Sequence, residues 1–183
     1  MHLVWKSGFE NEKVYTRATI QGAKALVGLG ITACHQLAGK LPTLKLDVTS
    51  DHPPADYFET GPLMFVSERL KEMLSSHFVD AEFLPTELIR DGKLLDFGAY
   101  YCFNLLGKVD CFDYQNSIYQ NDGGFVDKIE KLVIDDAKAA GYAVCRLDRC
   151  LDIITAIDQQ LADAILHAGF TGTKFIVPAD WRW

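Results

Sequence analysis

Two stretches of the chain carry apolar residues at helical spacing. In the first, Ser67 precedes Glu68, an order typical of a helix N-cap followed by an acid that suits the helix dipole. The apolar face of this predicted helix consists of Val66, Leu70, Met73, Leu74 and Phe78. In the second, Thr155 and Asp158 resemble a capping box, and Gly169 is expected to end the helix. Its apolar face consists of Ile157, Leu161, Ala164, Ile165 and Ala168.

Other stretches are rich in aromatic and aliphatic residues and predict β-strands. They cover residues 81–89, 99–106, 128–134 and 143–147, with one more short strand over 173–177. Asp91-Gly92 supplies turn chemistry between the first two, and Gly141 suits a turn between the next two, so we expect two antiparallel pairs. The predicted fold class is therefore α+β, with a mixed, mainly antiparallel sheet packed with a few helices.

The first 60 residues carry weaker signals, and their elements are left open. The stretch 51–56 contains Pro53 and Pro54, which disfavour both helix and central strand, so we expect a loop there. The chain has 183 residues, of which 49% are hydrophobic and 23% charged, as is ordinary for one well-buried core. We predict a single domain over residues 1–183, with Trp181 and Trp183 in a tail that folds back onto it.

The net charge and the hydropathy of the chain argue against some classes of binding partner and some cellular locations. The net charge of -7 argues against nucleic acid or an anionic membrane surface as partner, and it would attract a basic protein. No apolar run approaches the roughly 20 residues that a membrane span needs. The start of the sequence lacks the basic-then-apolar order of a signal peptide. We therefore expect a cytoplasmic protein.

The residue types that carry most enzyme chemistry are present without a diagnostic pattern. The five cysteines form an odd set with no CxxC pair, and Cys102 and Cys145 lie inside apolar runs, where core positions are expected. The five histidines form no HExxH or other ligand pair at helical spacing. We accordingly expect no enzyme activity, no metal site and no cofactor.

One glycine-rich segment keeps a second function open. Residues 25–33 match GxGxxA after an apolar run, with glycines at Gly28 and Gly30, and Asp47 follows at about the distance of a dinucleotide-binding fold. The alternative function is thus a nucleotide-binding protein or small enzyme. The intervening helix over residues 31–40 would be short, and no alternating series of strands and helices follows. A glycine-rich packing segment is the favoured interpretation.

An acidic segment with interleaved tyrosines is the predicted partner-binding site. Its candidate residues are Asp110, Asp113, Tyr114, Tyr119, Asp122 and Asp127. Gly123-Gly124 permits a sharp turn within it. Aromatic anchors beside acids suit a partner rich in lysine and arginine, because the aromatics supply affinity and the charges speed encounter. The competing interpretation is an ordinary acidic loop with buried tyrosines.

From residue 61 to 177 the order of short motifs matches a known pattern. The matching pieces are Phe65-Val66-Ser67-Glu68-Arg69-Leu70-Lys71, Glu82-Phe83-Leu84-Pro85, residues 101–106 with Asn104, residues 111–113, 129–135 and 146–147, the helix from Thr155, and Ala168-Gly169-Phe170-Thr171-Gly172-Thr173-Lys174-Phe175. In this combination the chain resembles the family numbered eleven among the predicted immunity proteins of bacterial polymorphic-toxin systems. Residues 1–60 contribute almost nothing to the resemblance.

The resemblance implies an α+β protein that neutralises a cognate toxin by direct binding. It implies no catalytic residues, and it does not identify the toxin. Most of the matching residues, such as Phe65, Leu70 and Phe83, have an adequate explanation as core residues. The residues that meet the toxin are therefore expected elsewhere, and the acidic segment is the candidate.

Overall fold

The computed structural model describes residues 1–8 and 15–182. Numbered along the chain, the strands are β1 (His2–Ser7), β2 (Ala18–Ile20), β3 (Leu44–Val48), β4 (Tyr57–Thr60), β5 (Leu63–Ser67), β6 (Ala81–Arg90), β7 (Lys93–Leu94), β8 (Tyr100–Leu105), β9 (Lys108–Val109), β10 (Ile118–Asp122), β11 (Phe125–Lys131), β12 (Val144–Leu147), β13 (Thr155–Asp158) and β14 (Thr173–Ile176). The α-helices are α1 (Glu68–Ser76), α2 (Asp136–Ala139) and α3 (Gln159–His167). Short 3-10 helices cover Ala23–Leu26 and Pro178–Asp180.

The strands form two large sheets and a separate hairpin. The first sheet has the order β14-β1-β13-β12-β9, and the second has the order β2-β3-β6-β8-β5-β4 with β7 paired to β6. Strands β10 and β11 pair only with each other among the named strands of the described chain. The β9–β12 and β3–β6 pairs are parallel, and the other described pairs are antiparallel. The predicted α+β class, with mainly antiparallel sheets, is confirmed.

The main hydrophobic core lies between the two large sheets. Trp5 of β1 and Val144 of β12 pack there against Met64 of β5 and Phe103 of β8. The ring of Trp5 stacks on that of Tyr57, with centroids 4.5 Å apart. Helices α1 and α3 contribute Leu70, Leu74, Leu161 and Ile165 to the same core. Burial of apolar surface on facing sides of both sheets therefore holds them together.

Two further clusters cover the outer faces of the sheets. Cys111, Phe112 and Val126 pack against Cys145 on one side of the five-stranded sheet. Leu44, Phe58, Phe65 and Cys102 belong to the cluster on the far side of the other sheet. Cys102 and Cys145 are thus core residues, as predicted, and all five cysteines are free. Burial raises the pKa of Cys102 to about 12.

The first predicted helix is confirmed, including its cap. The Ser67 hydroxyl accepts a hydrogen bond from the Leu70 amide, 3.3 Å away. Leu70 and Leu74 are fully buried. Phe78, however, does not continue the apolar face: it has a φ of 54° just beyond the helix, and its side chain is 93% exposed. The helix has already ended there, so its periodicity no longer sets the direction of the side chain.

The second predicted helix begins later than expected. Thr155 and Ile157 belong to β13, between β1 and β12, and Asp158 caps α3 by accepting a hydrogen bond from the Gln160 amide. The predicted capping box at Thr155 is therefore wrong. Tertiary strand pairing has overridden the local signal, and the β-branched side chains of this segment suit a strand. Gly169 follows the helix with a φ of 68°, as a terminating glycine does.

One predicted strand pair is confirmed and the other is wrong. Strands β6 and β8 are antiparallel, with Ala81 opposite Leu105. The turn at Asp91-Gly92 joins β6 to the short β7 before the chain reaches β8. Strands β11 and β12, in contrast, lie in different sheets: β11 pairs with β10, and β12 pairs with β13 and β9. The connection between them forms α2, which Asp135 caps.

The proline-containing loop and part of the C-terminal tail follow the predictions. The segment 51–56 contains no helix or strand, as predicted. Trp181 is buried and packs in the core cluster beneath the five-stranded sheet, so this part of the tail folds back. Trp183 lies outside the described residues.

Asp56 joins three parts of the chain through its carboxylate. Oδ1 accepts a hydrogen bond from the Ser67 hydroxyl at 2.7 Å, and Oδ2 accepts bonds from the Thr171 amide and hydroxyl at 2.9 and 3.0 Å. Arg69 adds an ion pair at 3.2 Å. The loop before β4, the start of α1 and the segment between α3 and β14 are thereby fixed to one another.

Candidate functional site

The acidic segment predicted to bind a partner forms the β10–β11 hairpin and the turn region before it. Gly123 and Gly124 make the turn of the hairpin, with φ values of 58° and 90°. Asp122 pairs with Phe125 across the turn, and Gln120 pairs with Asp127. Since directly opposed residues point to the same side of a hairpin, these four side chains share one face. We call them the hairpin face: Gln120, Asp122, Phe125 and Asp127.

The opposite side of the hairpin packs on the protein. Val126 and Ile129 are buried in the cluster beneath the five-stranded sheet. The backbone of Val126 is also bonded on both sides to a neighbouring loop, because its amide donates to the Arg149 carbonyl at 2.7 Å and its carbonyl accepts from the Leu151 amide at 3.0 Å. The hairpin face is therefore held on a fixed support and directed away from the core.

The two tyrosines of the predicted site lie at the base of the hairpin. Their rings and that of buried Phe112 meet edge to face, with centroids 5.0 to 6.0 Å apart. The Tyr114 hydroxyl donates to Asp110 at 2.6 Å, and burial together with this hydrogen bond raises the pKa of Tyr114. Tyr114 and Tyr119 are therefore half-buried supports of the hairpin, and only parts of their rings reach solvent.

The Asp113 carboxylate stabilises a local turn through hydrogen bonds. It accepts hydrogen bonds from the Gln115 and Asn116 amides at 3.0 and 3.1 Å and from the Asn116 side chain at 2.7 Å. The Asn116 side-chain bond is the main cause that lowers the pKa of Asp113. Of the six predicted residues, the structure thus brings exposed Asp122 and half-buried Asp127 together on the hairpin face and places the others around its base.

The exposed apolar side chains of this region were not predicted from the sequence. Phe125 is 47% exposed at the end of the hairpin, and Leu151 is 52% exposed in the loop bonded to Val126. Ile153, in the same loop, is also exposed. An aromatic residue beside a glycine turn was visible in the sequence, but its exposure depends on which face of the hairpin packs.

A cleft of about 660 Å³ lies on the other side of the same loop. Its walls come from β1, β13 and β14 of one sheet and from the β4–β5 turn of the other, with Trp181 near the C-terminus. Leu151 and Ile153 are part of its lining, so the cleft and the hairpin share the loop that separates them. Arg146 of β12 lies among the lining residues and is only 5% exposed.

Comparison with known protein families identifies the family of this chain. The model of an immunity protein family, Imm11, matches residues 11–180. The chain belongs to this immunity protein family. The match extends the resemblance seen over residues 61–177 to nearly the whole chain, including most of the N-terminal portion that the motifs left out. The curated proteins contain no match.

The glycine-rich segment of this immunity family member does not have the geometry of a dinucleotide site. Such a site places a glycine turn between a buried strand and the N-terminus of a helix. Here a 3-10 helix at Ala23–Leu26 precedes Gly28 and Gly30, and residues 31–41, all of them described, contain no α-helix. Asp47 lies within β3, opposite Thr19 of β2. Leu26 and neighbouring apolar residues instead pack on the seven-stranded sheet, as the packing interpretation predicted.

Two features of the described residues concern metal binding and membrane insertion. No group of three or more histidine, cysteine, aspartate or glutamate side chains within residues 1–8 and 15–182 is arranged to hold a metal ion. None of the helices in that part of the chain is long and apolar enough to cross a membrane.

Proposed function

We propose that this protein binds and neutralises a cognate bacterial toxin by direct protein–protein contact, and that the hairpin face forms the centre of the interface. The match to the immunity protein family over residues 11–180 carries the first part of the proposal. The second part rests on the exposed hairpin, where Phe125 stands beside acidic residues on a rigid support.

The composition of the hairpin face suits a basic toxin. Phe125 supplies an exposed aromatic ring of the kind that anchors protein interfaces. Asp122 and Asp127 lie on the same face, and the chain as a whole has a net charge of -7, so a basic partner would be attracted over a distance and then oriented at the hairpin.

The proposed interface includes the neighbouring loop. A stable complex buries on the order of 1,200 to 2,000 Å² in total, which is more than one face of a two-stranded hairpin provides. Leu151 and Ile153 extend the apolar surface from Phe125 toward the cleft. Asp110, Tyr114 and Tyr119 hold the base of the hairpin and contribute to the partner through their exposed edges, while Asp113 fixes the preceding turn.

The test uses a candidate toxin, for which the product of the neighbouring gene is the first choice, purified in an inactivated form. We expect Phe125→Ala to weaken binding measured by calorimetry by at least about 2 kcal/mol, the size of an interface hot spot. Phe78→Ala is the matched control, because Phe78 is also an exposed phenylalanine but lies just beyond α1. The control should bind like the wild type.

Charge is tested separately by the double reversal Asp122→Lys and Asp127→Lys. Association should slow and lose much of its dependence on salt concentration, because steering by the acidic face is removed. The double reversal Glu72→Lys and Asp163→Lys, at exposed positions on α1 and α3, changes the net charge equally and is the matched control. Wild-type affinity in Phe125→Ala and wild-type salt dependence in the hairpin double reversal would show that the toxin binds another surface.

A further inference from the structure

Arg146 lines the cleft with a buried guanidinium group. Arg146 is only 5% exposed, and its Nε and Nη1 atoms are both inaccessible and have no hydrogen-bond partner among the described residues. No described carboxylate lies within ion-pairing distance of it. Buried guanidinium groups are ordinarily paired, since removing the charge from water is costly.

Glu59 lines the same cleft, but its carboxylate is engaged by other residues. It accepts hydrogen bonds from the Tyr57 hydroxyl at 2.7 Å and from the Ser7 hydroxyl at 3.5 Å. Burial lowers the pKa of Arg146, and the charges of neighbouring groups, Glu59 among them, oppose that effect without forming an ion pair. The guanidinium therefore keeps unused capacity to bind an anion.

The described part of the cleft lining carries more basic than acidic residues, opposite to the chain as a whole. Among residues 1–8 and 15–182, the basic residues of the lining are Lys6, Arg146, Lys174 and Arg182, and the acidic ones are Glu59 and Asp152. The whole chain, in contrast, carries a net charge of -7. Positive side chains are thus concentrated at this cavity, where low-dielectric walls strengthen their attraction for an anion.

The remaining walls are largely apolar. Trp5, Met64, Ile153 and Ile176 line the cavity, and the indole Nε1 of Trp5 is a second buried donor without a described hydrogen-bond partner. A volume of about 660 Å³ falls within the roughly 300 to 1,000 Å³ typical of small-molecule sites. Such a cavity accommodates a whole small ligand and not only a single charged group.

We propose that the cleft between the two large sheets is a binding site for a small organic anion, a carboxylate carried on an apolar body. The carboxylate pairs with Arg146, and the apolar body packs against Ile153 and Ile176. This site is distinct from the hairpin face, but Leu151 and Ile153 belong both to its lining and to the proposed toxin interface.

The test is a titration of the full chain with hydrocinnamate, followed by calorimetry and by tryptophan fluorescence. The neutral amide, hydrocinnamide, has the same apolar body and serves as the matched ligand. We expect saturable binding of the carboxylate on the order of 1 mM or tighter. Binding of the amide, and of the carboxylate to Arg146→Met, should be weaker by at least about tenfold, since each lacks the charged hydrogen bonds.

One control variant and one second test variant accompany this titration. Arg149→Met removes an exposed arginine that does not line the cleft, and it should bind hydrocinnamate like the wild type. Ile153→Glu changes an exposed residue at the rim, so the fold is kept while the added carboxylate repels the ligand. Its affinity should fall together with that of Arg146→Met.

Stability distinguishes a binding arginine from a structural one. Because Arg146 has unmet donors, Arg146→Met should unfold at the same temperature as the wild type or higher. The proposal is wrong if this variant unfolds at a clearly lower temperature, or if hydrocinnamate fails to saturate the wild type. It is also wrong if hydrocinnamate does not bind but Arg146→Met weakens toxin binding, because the arginine would then receive a carboxylate of the toxin.

Discussion

Removing the Asp56 carboxylate should destabilise the protein more than removing any exposed acid. The carboxylate is 16% exposed and accepts hydrogen bonds from the Ser67 hydroxyl and from the amide and hydroxyl of Thr171. Hydrogen bonds to charged groups contribute about 1.5–3 kcal/mol each and are not additive within one network. The ion pair with Arg69, whose side chain is 57% exposed, adds about 0–1 kcal/mol. We therefore expect Asp56→Ala to lower the free energy of unfolding by about 3–5 kcal/mol.

The assay is urea unfolding followed by tryptophan fluorescence and by circular dichroism. Asp56→Asn should fall between the wild type and Asp56→Ala, because an amide keeps one acceptor but loses the charge. Asp51→Ala, an exposed acid in the same loop, is the control and should change stability by less than about 0.5 kcal/mol. The reasoning is refuted if Asp56→Ala unfolds at the same urea concentration as Asp51→Ala with an unchanged slope.

Two further substitutions test local features of the fold. Gly172→Ala should lower the free energy of unfolding for two reasons. A residue with a Cβ at a φ of +79° costs about 1–2 kcal/mol, and overpacking costs about 1–3 kcal/mol more, because the new Cβ would lie 2.0 Å from the Tyr57 carbonyl oxygen. Urea unfolding measures the combined loss. Glu82→Gln should cost about 1–3 kcal/mol at neutral pH, because an amide cannot fully replace the carboxylate that accepts bonds from the Leu37 amide at 2.7 Å and the Asn104 side chain at 2.8 Å. Burial raises the pKa of Glu82, but these hydrogen bonds outweigh that effect and leave the pKa below its usual value. The stability that they add is therefore present above the unfolded pKa of about 4.3 and is lost as the pH falls through the folded pKa.

Matched controls separate these causes. Gly61 also has a positive φ, +56°, but nothing lies within 4 Å of a Cβ built there, so Gly61→Ala should carry only the conformational cost. Equal losses at the two glycines would contradict the predicted clash. Glu72→Gln, on the exposed side of α1, should leave stability and its pH dependence unchanged. A pH dependence that Glu82→Gln shares with the wild type would show that another acid is responsible.

Local signals predicted those elements whose evidence lies within a few residues. The helix α1 was predicted because Ser67 and the apolar spacing of Leu70 and Leu74 act within the segment itself. The β6–β8 pair also followed from composition and turn residues. The prediction of one domain over residues 1–183 stays a prediction.

Elements that depend on distant partners were not predictable in the same way. Thr155 resembles a cap in isolation, but it faces Trp5 of β1, 150 positions earlier in the chain, within a sheet that local patterns do not specify. Strands β11 and β12 were paired because they are neighbours in sequence, whereas β12 pairs with β9 and β13. Which of several strands become neighbours is decided by long-range burial.

The candidate site was likewise predictable only in part. Asp122, Asp127 and the Gly123-Gly124 turn were found from residue type and order, and the structure places the two acids on one face. The exposure of Phe125 and the unpaired Arg146 are properties of tertiary packing. An arginine is ordinarily expected at the surface, so neither the burial of Arg146 nor its unpaired nitrogens could be predicted from the sequence.

The most direct measurement of the central claim is growth of bacteria that produce the candidate toxin, for which the product of the neighbouring gene is the first choice. Co-expression of the wild-type protein should restore growth, and so should Phe78→Ala. The combined variant Phe125→Ala, Asp122→Lys and Asp127→Lys, shown to fold by urea unfolding, should fail to restore it. Failure of the wild-type protein to protect would contradict the immunity function, and full protection by the combined variant would contradict the assignment of the hairpin face.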